Sequence, residues 1–327
     1  MNHCEKLAPD KSSKIIAVTG ATGFIGKKIC RRLLAADFRV RALVRSASKG
    51  KELETAGVTI VTGDLFDPTA LTELLVGTDA VVHCAGAVRG ASQEQFDRVN
   101  VDGVRQLLRA VELSNTKPRI LFLSSLAARE PGLSFYSASK YAGEEVLIKE
   151  GGAVSWTVLR PPAVYGPGDK ELLPLFRLMA RGLAPIPGSP DARVSMLFVD
   201  DLAAAILAWL MSAKSVNAVY TLEDGCAGGY AWSDIAAIIS HICQRPVRLF
   251  SVPAWILDTS AWLNSRLATF LGYAPMLTPE KLRELRHADW VCDSEALCSV
   301  IEWQPKTGLA EGLQKTPGWS GYQGSIA

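Results

Sequence analysis

The sequence predicts an α/β fold: a doubly wound parallel sheet followed by a smaller, mixed C-terminal substrate lobe. Three observations predict it. Short β-branched runs alternate with helical patterns through the first half of the 327 residues, which puts helices on both faces of a parallel sheet. A glycine-rich turn, Thr19-Gly20-Ala21-Thr22-Gly23-Phe24-Ile25-Gly26, stands between the first run and the first helical pattern. From about residue 161 prolines crowd the chain (Pro161, Pro162, Pro167, Pro174, Pro185, Pro187, Pro190) and the alternation stops, so loops dominate there.

The elements follow in order. Ile15 to Thr19 is a β-branched strand, and the glycine turn leads into a helix through about Ala36. Arg39 to Val44 is a second strand. Val58 to Thr62 is a third and runs into Gly63-Asp64-Leu65. Ala80 to His83 is a fourth, closed by Cys84-Ala85-Gly86. A helix from about Phe96 to Leu113 precedes the strand Arg119 to Ser124, and a helix carrying Tyr136 and Lys140 precedes the strand Ser155 to Leu159. Ala203 to Leu210 and Ala218 to Leu222 are expected to return to the sheet as a helix and a strand. Residues 14–170, with 200–222, thus form the dinucleotide-binding domain, 171–199 and 223–327 the substrate lobe, and 1–13 a polar tail.

Apolar residues at 48% and charged residues at 21% suit a globular chain with a substantial core, and a net charge of +2 gives no reason to expect nucleic acid. The seven cysteines are scattered, without C-x-x-C or a histidine cluster. Neither a disulfide framework nor a metal site is expected, and reduced thiols in a cytoplasmic protein are the default. Met1 to Ser13 lacks the apolar core of a secretory signal, and no apolar run is long enough for a bilayer span. Leu202 to Met211 reads as a buried helix. Pro253 to Tyr273 carries Trp255, Ile256, Leu257, Trp262, Leu263, Leu267, Phe270 and Leu271. It is expected to pack within the lobe, with a greasy lid or a helix resting on lipid as the alternatives.

A strand, three spaced glycines and a helix start together form the cradle for a dinucleotide pyrophosphate. Gly20 allows the turn, Gly23 lets backbone approach phosphate, and Gly26 permits close helix–strand packing. The helix N-terminus supplies N–H groups and partial positive charge. After the second strand stand Arg45 and Ser46 with no acid nearby. A guanidinium there suits a 2′-phosphate, so NADP is favoured over NAD. Asp64 is placed either to bond adenine or to cap the following turn. Tyr136 and Lys140, four apart on a helix, share a face. The ammonium is expected to lower the phenol from its usual value of about 10 toward the range useful for proton transfer.

These segments, with H-C-A-G at 83–86, N-V-D-G-V at 100–104, L-S-S at 123–125, R-P-P-A-V-Y-G-P-G-D at 160–169 and F-V-D-D-L-A at 198–203, resemble the extended short-chain dehydrogenase/reductase superfamily, the NAD(P)-dependent epimerase/dehydratase-like proteins. The resemblance runs in family order over about two hundred residues and implies a Rossmann domain. It implies catalytic roles for Ser125, Tyr136 and Lys140: the tyrosine as acid–base, the serine on the substrate oxygen, the lysine on the nicotinamide ribose. Ser125 is chosen over Ser124 because it matches the second position of the family's serine pair. Coenzyme contacts would come from Gly20, Thr22, Gly23, Phe24, Ile25, Gly26, Arg45, Asp64, Leu65, Cys84, Ala85, Gly86, Tyr136, Lys140 and Pro161, with Pro162 also bordering the nicotinamide. Asn100 would hold a water or backbone contact near the lysine, and His83 would only end a buried strand.

Two departures bear on the substrate. Ser125 and Tyr136 are eleven residues apart, closer than in sugar-nucleotide epimerases, and Gly188 to Arg193 is compressed where those enzymes hold a diphosphate. The C-terminal segments around Pro253-Ala254-Trp255, Asp289-Trp290, Glu302-Trp303-Gln304-Pro305, Gly312-Leu313 and Trp319 resemble 3β-hydroxysteroid dehydrogenase and sterol-type members. The expectation is reversible hydride transfer to or from a secondary alcohol or ketone, on a small, hydrophobic or sterol-like molecule. A nucleotide-sugar epimerase/dehydratase and a non-catalytic NADP-binding sensor or assembly protein are the alternatives. A homodimer and peripheral membrane contact stay open.

Overall fold

The computed structural model describes residues 13–212, 217–271, 275 and 277–320. Apart from Ser13, the expected tail lies outside them. Seven strands make the main sheet: β1 (Ile15–Thr19), β2 (Arg39–Val44), β3 (Thr59–Thr62), β4 (Ala80–His83), β5 (Arg119–Leu123), β6 (Trp156–Arg160) and β7 (Ala218–Thr221). Their spatial order is β3-β2-β1-β4-β5-β6-β7, and every pairing is parallel. This is the doubly wound sheet the alternation predicts. The order reverses at β1, where Thr19 stands beside Leu43 of β2 on one side and His83 of β4 on the other. Ligands bind outside the carboxyl ends of strands at such a switch.

Strand residues alternate between two cores, as the period of two requires. Val18, Val82, Leu121 and Leu159 face one way, against Ile29 and Leu33 of helix α1 (Phe24–Leu34) and against Leu202, Ile206 and Trp209 of the helix Val199–Met211. Ala17, Val81, Phe122 and Val158 face the other way. There they meet the helices Pro68–Leu75 and Gly103–Leu113 and Val146 and Leu147 of the helix Phe135–Glu150. A third cluster, built on Tyr165, Phe176, Phe198, Ile235 and Leu313, underlies the smaller region, whose strands pair in twos and threes beside the main sheet.

Three expectations need correction. The helix expected over 96–113 begins at Gln93 and contains a π-helical turn, Arg98–Asp102, which carries Asn100. Strand bounds shift by one residue: β3 starts at Thr59, β5 stops at Leu123, β6 runs from Trp156 to Arg160, and β7 stops at Thr221. The third concerns Pro253 to Tyr273, of which Gly272 and Tyr273 lie outside the described residues. Its helix, Ala254–Leu271, leaves most of the large apolar side chains described in it out of the lobe's core. Trp255 is 70% exposed and Trp262 54%, with Ile256, Leu263 and Leu267 also exposed. The helix docks instead through the small side chains Ala261 and Ala268, seven apart on one face and both buried. Among the described residues, no helix is long and apolar enough to cross a membrane.

Candidate active site

The site begins where β1 ends. Gly20 has φ +69°, and a Cβ there would lie 2.6 Å from both Cys84 C and Ala85 N, so the turn threads between two strand ends only without a side chain. A Cβ on Gly26 would collide with the Gly20 carbonyl. Gly23 is the N-cap of α1, has no side-chain cap, and is followed by no acid in the first turn. The leading N–H groups of the helix therefore suit an anion. Thr22, Phe24 and Ile25 are half-buried around this turn. The cradle fits a dinucleotide pyrophosphate.

Arg45 is exposed just beyond β2, and the Ser46 hydroxyl shares a 2.8 Å hydrogen bond with that of Ser48. Asp64 accepts the Phe66 N–H at 2.8 Å, so its carboxylate braces the turn after β3. The Leu65 side chain is buried against Gly103, which leaves only backbone at that position for a ligand. Cys84 and Ala85 are half-buried beside Gly20, and Gly86 is exposed. Pro161 is buried, its carbonyl accepting the Leu126 N–H at 2.8 Å.

Asn100 ties this loop to the helix Phe135–Glu150. Its Oδ1 accepts the Ala87 N–H at 2.7 Å, and its Nδ2 donates to the Ala87 carbonyl at 3.0 Å and to Ser139 Oγ at 2.9 Å. The π turn aims the amide inward, a device recurrent at functional sites. His83 ends β4 in full burial, its Nδ1 2.7 Å from Thr19 Oγ1. Burial drives its pKa down to about 3, with the Lys140 charge adding to the shift, so the ring is neutral.

The helix Phe135–Glu150 starts at Ser134, whose hydroxyl accepts the Ser137 N–H at 3.0 Å. Tyr136 and Lys140 follow in the first two turns, but they do not act on each other as expected. Lys140 Nζ donates to the Leu123 carbonyl at 2.7 Å and lies 4.6 Å from the centre of the Phe122 ring. Burial pulls its pKa down to about 8, against the opposing pull of Glu144. Tyr136 moves up, not down, to about 12. Burial is the main cause; the Ser125 hydroxyl, hydrogen-bonded to the phenol, works against it, and the Glu284 charge adds to it. Desolvation of the phenolate outweighs any help from the ammonium.

Ser124 and Ser125 part company. Ser124 is buried and donates to Glu144, which also receives Arg160 Nε at 3.0 and 3.1 Å. Ser125 takes the Ala127 N–H at 3.2 Å and faces a cavity of about 450 Å³ together with Tyr136 and Pro162. The rest of that lining is largely apolar, including Leu126, Val164, Leu172, Leu175, Phe176 and Met196. Its arginine and lysine are both engaged. Arg193 donates to the Gly228 and Gly229 carbonyls at 2.6 and 2.7 Å, and Lys281 pairs with Glu284.

Lys281 and Glu284 are absent from the sequence reading. Lys281 Nζ lies 5.7 Å from the centre of the Tyr136 ring, and buried Glu284 accepts from Ser134 Oγ at 2.8 Å. They reach the site from the helix Pro279–Arg286, some 150 residues downstream in the chain. Locally they read as one more i,i+3 ion pair on a solvated helix, and no signal in the sequence marks them.

A family model described as the NAD dependent epimerase/dehydratase family matches residues 16–222. The chain is 36% identical over 305 residues to a ceramide reductase of Caulobacter vibrioides, covering 93% of this chain and 94% of the relative. It is 30% identical over 215 residues to a 2-alkyl-3-oxoalkanoate reductase of Shewanella oneidensis, covering 58% and 54%. The structure is similar to a UDP-glucuronic acid 4-epimerase from Bacillus cereus in complex with UDP-glucuronic acid and NAD. The TM-score is 0.71 at 19% identity, over 92% of this chain and 97% of that one.

Proposed function

The chain belongs to the NAD dependent epimerase/dehydratase family and is an NAD(P)-dependent enzyme, and from that premise we propose that it is an NADP-dependent reductase of a ketone on a long-chain, amphiphilic molecule, reversible toward the secondary alcohol. One observation carries the reading: the hydroxyls of Ser125 and Tyr136 open together into a mostly apolar cavity whose arginine and lysine are already engaged. A sugar nucleotide brings a diphosphate that needs cations; a lipid-like ketone brings chains that need apolar walls. The ceramide reductase likeness, over nearly the whole chain, supports the same class.

In this reading residues 14–170 with 200–222 hold the coenzyme, and 171–199 with 223–327 enclose the substrate. Gly20, Gly23 and Gly26 would seat the pyrophosphate, Arg45 the 2′-phosphate, and Lys140, beside Gly86, the nicotinamide ribose. When bound, the nicotinamide supplies or takes the hydride. Ser125 orients the substrate oxygen by a hydrogen bond. Tyr136 gives that oxygen a proton as it becomes an alcohol. A phenol held near 12 is protonated at neutral pH, which suits the ketone-to-alcohol direction.

The test is nicotinamide absorbance with a long-chain 3-keto amide. A reductase consumes NADPH in proportion to alcohol formed, and faster than NADH. An epimerase converts its sugar nucleotide with no net absorbance change, and that result would overturn the reading. Turnover of neither, with NADP still bound, would point to a binding protein instead.

A further inference from the structure

The exposed face of the helix Ala254–Leu271 is the largest unexplained apolar feature among the described residues. Trp255, Ile256, Trp262, Leu263 and Leu267 stand at i, i+1, i+7, i+8 and i+12, one continuous stripe opposite the docked alanines. Two residues upstream the exposed strand Arg248–Ser251 adds Leu249 and Phe250, and its partner strand Leu183–Ile186 adds Leu183, opposite Arg248. Exposed apolar side chains on such a scale mark an interaction surface.

Charge and position say what covers it. From Arg245 to Arg286 the sequence has six basic residues against three acidic ones, a net +3, where the whole chain is only +2. Arg286 pairs with Asp258 at 2.8 Å and Lys281 with Glu284. Of the rest, Arg245, Arg248, Arg266 and Arg283 are all exposed, with Glu280 the remaining acid. Arg266 lies 5.3 Å from the Trp262 ring, a cation and an indole side by side. A symmetric dimer through this face would set one net-positive surface against another. An anionic bilayer surface neutralises them, and indoles partition to its interface.

The face is also continuous with the cavity. Arg286 Nη2 donates to the Ala254 carbonyl, joining the start of this helix to the helix Pro279–Arg286, and the two helices pack together. Lys281, Glu284 and half-exposed Leu285 of the latter line the cavity beside Tyr136. We propose that the stripe from Trp255 to Leu267, with Leu249, Phe250 and the flanking arginines, docks the protein on an anionic lipid surface, so that an amphiphilic substrate crosses from bilayer to cavity past Leu285. The substrate route rests on the reductase reading; the docking itself does not.

The test is co-sedimentation of the full chain with vesicles of equal parts phosphatidylglycerol and phosphatidylcholine, and with phosphatidylcholine alone. The wild type binds the anionic vesicles, and binding weakens on phosphatidylcholine alone and at high salt. W255E/L263E and R248E/R266E each weaken it by about tenfold or more, while the heat of NADPH binding, a check on folding, is unchanged. Wild type left in the supernatant with anionic vesicles overturns the proposal. So do variants that bind like wild type, or a dimer that W255E/L263E splits without any vesicle binding. Vesicle binding without ketone turnover leaves the docking standing and removes the reductase; turnover without vesicle binding does the reverse.

Discussion

At the scale of single residues, Lys140 is the group whose chemistry can be followed by pH. Its ammonium titrates near 8 in the folded protein instead of near 10.5, because burial disfavours the charge. The expected profile of kcat/KM for ketone reduction therefore falls as pH rises through about 8, where the charge proposed to hold the nicotinamide ribose is lost. Stability moves the other way. The unfolded chain binds more protons than the folded one between about pH 8 and 10.5, so this group adds stability as pH rises through that window. Loss of activity there is not loss of fold. K140R keeps its charge over the whole range; a falling limb that stays near 8 in K140R would assign it to another group. The sequence showed the pair on one helix face but not the sign of the shift on Tyr136. Spacing reports direction along a helix; it does not report the depth of burial.

At the scale of elements, the helix Phe135–Glu150 is tied to the sheet by a buried ion pair. Glu144, 1% exposed, takes the Arg160 guanidinium from the end of β6 and the Ser124 hydroxyl from the end of β5. This pair holds Tyr136's helix against the strand ends that present Ser125. E144A leaves a partly buried guanidinium without its partner and is expected to cost about 3 kcal/mol. A well-packed apolar pair, E144L/R160M, should recover most of that. Thermal melts of the three proteins check it, and an E144A melt at the wild-type temperature would show that the pair contributes nothing. The strands and the glycine turn were legible, because each rests on local periodicity or a short motif. The π turn at Asn100, the exposed stripe of Ala254–Leu271 and the approach of Lys281 and Glu284 were not. Each depends on which distant element happens to pack against it, and periodicity does not carry that.

At the scale of the whole molecule, the sheet order brings the ends of β1, β2, β4 and β5 to one edge, and the later helices close an apolar cavity over it. In the proposed reading, coenzyme groups and substrate groups therefore meet at Tyr136, from opposite halves of the chain. The most direct measurement is single-turnover reduction of a long-chain ketone by wild type and Y136F, with the NADPH dissociation constant of each measured alongside. The account predicts turnover lowered by about 10² to 10⁴ in Y136F with coenzyme affinity nearly unchanged. Reduction by Y136F at the wild-type rate would contradict it.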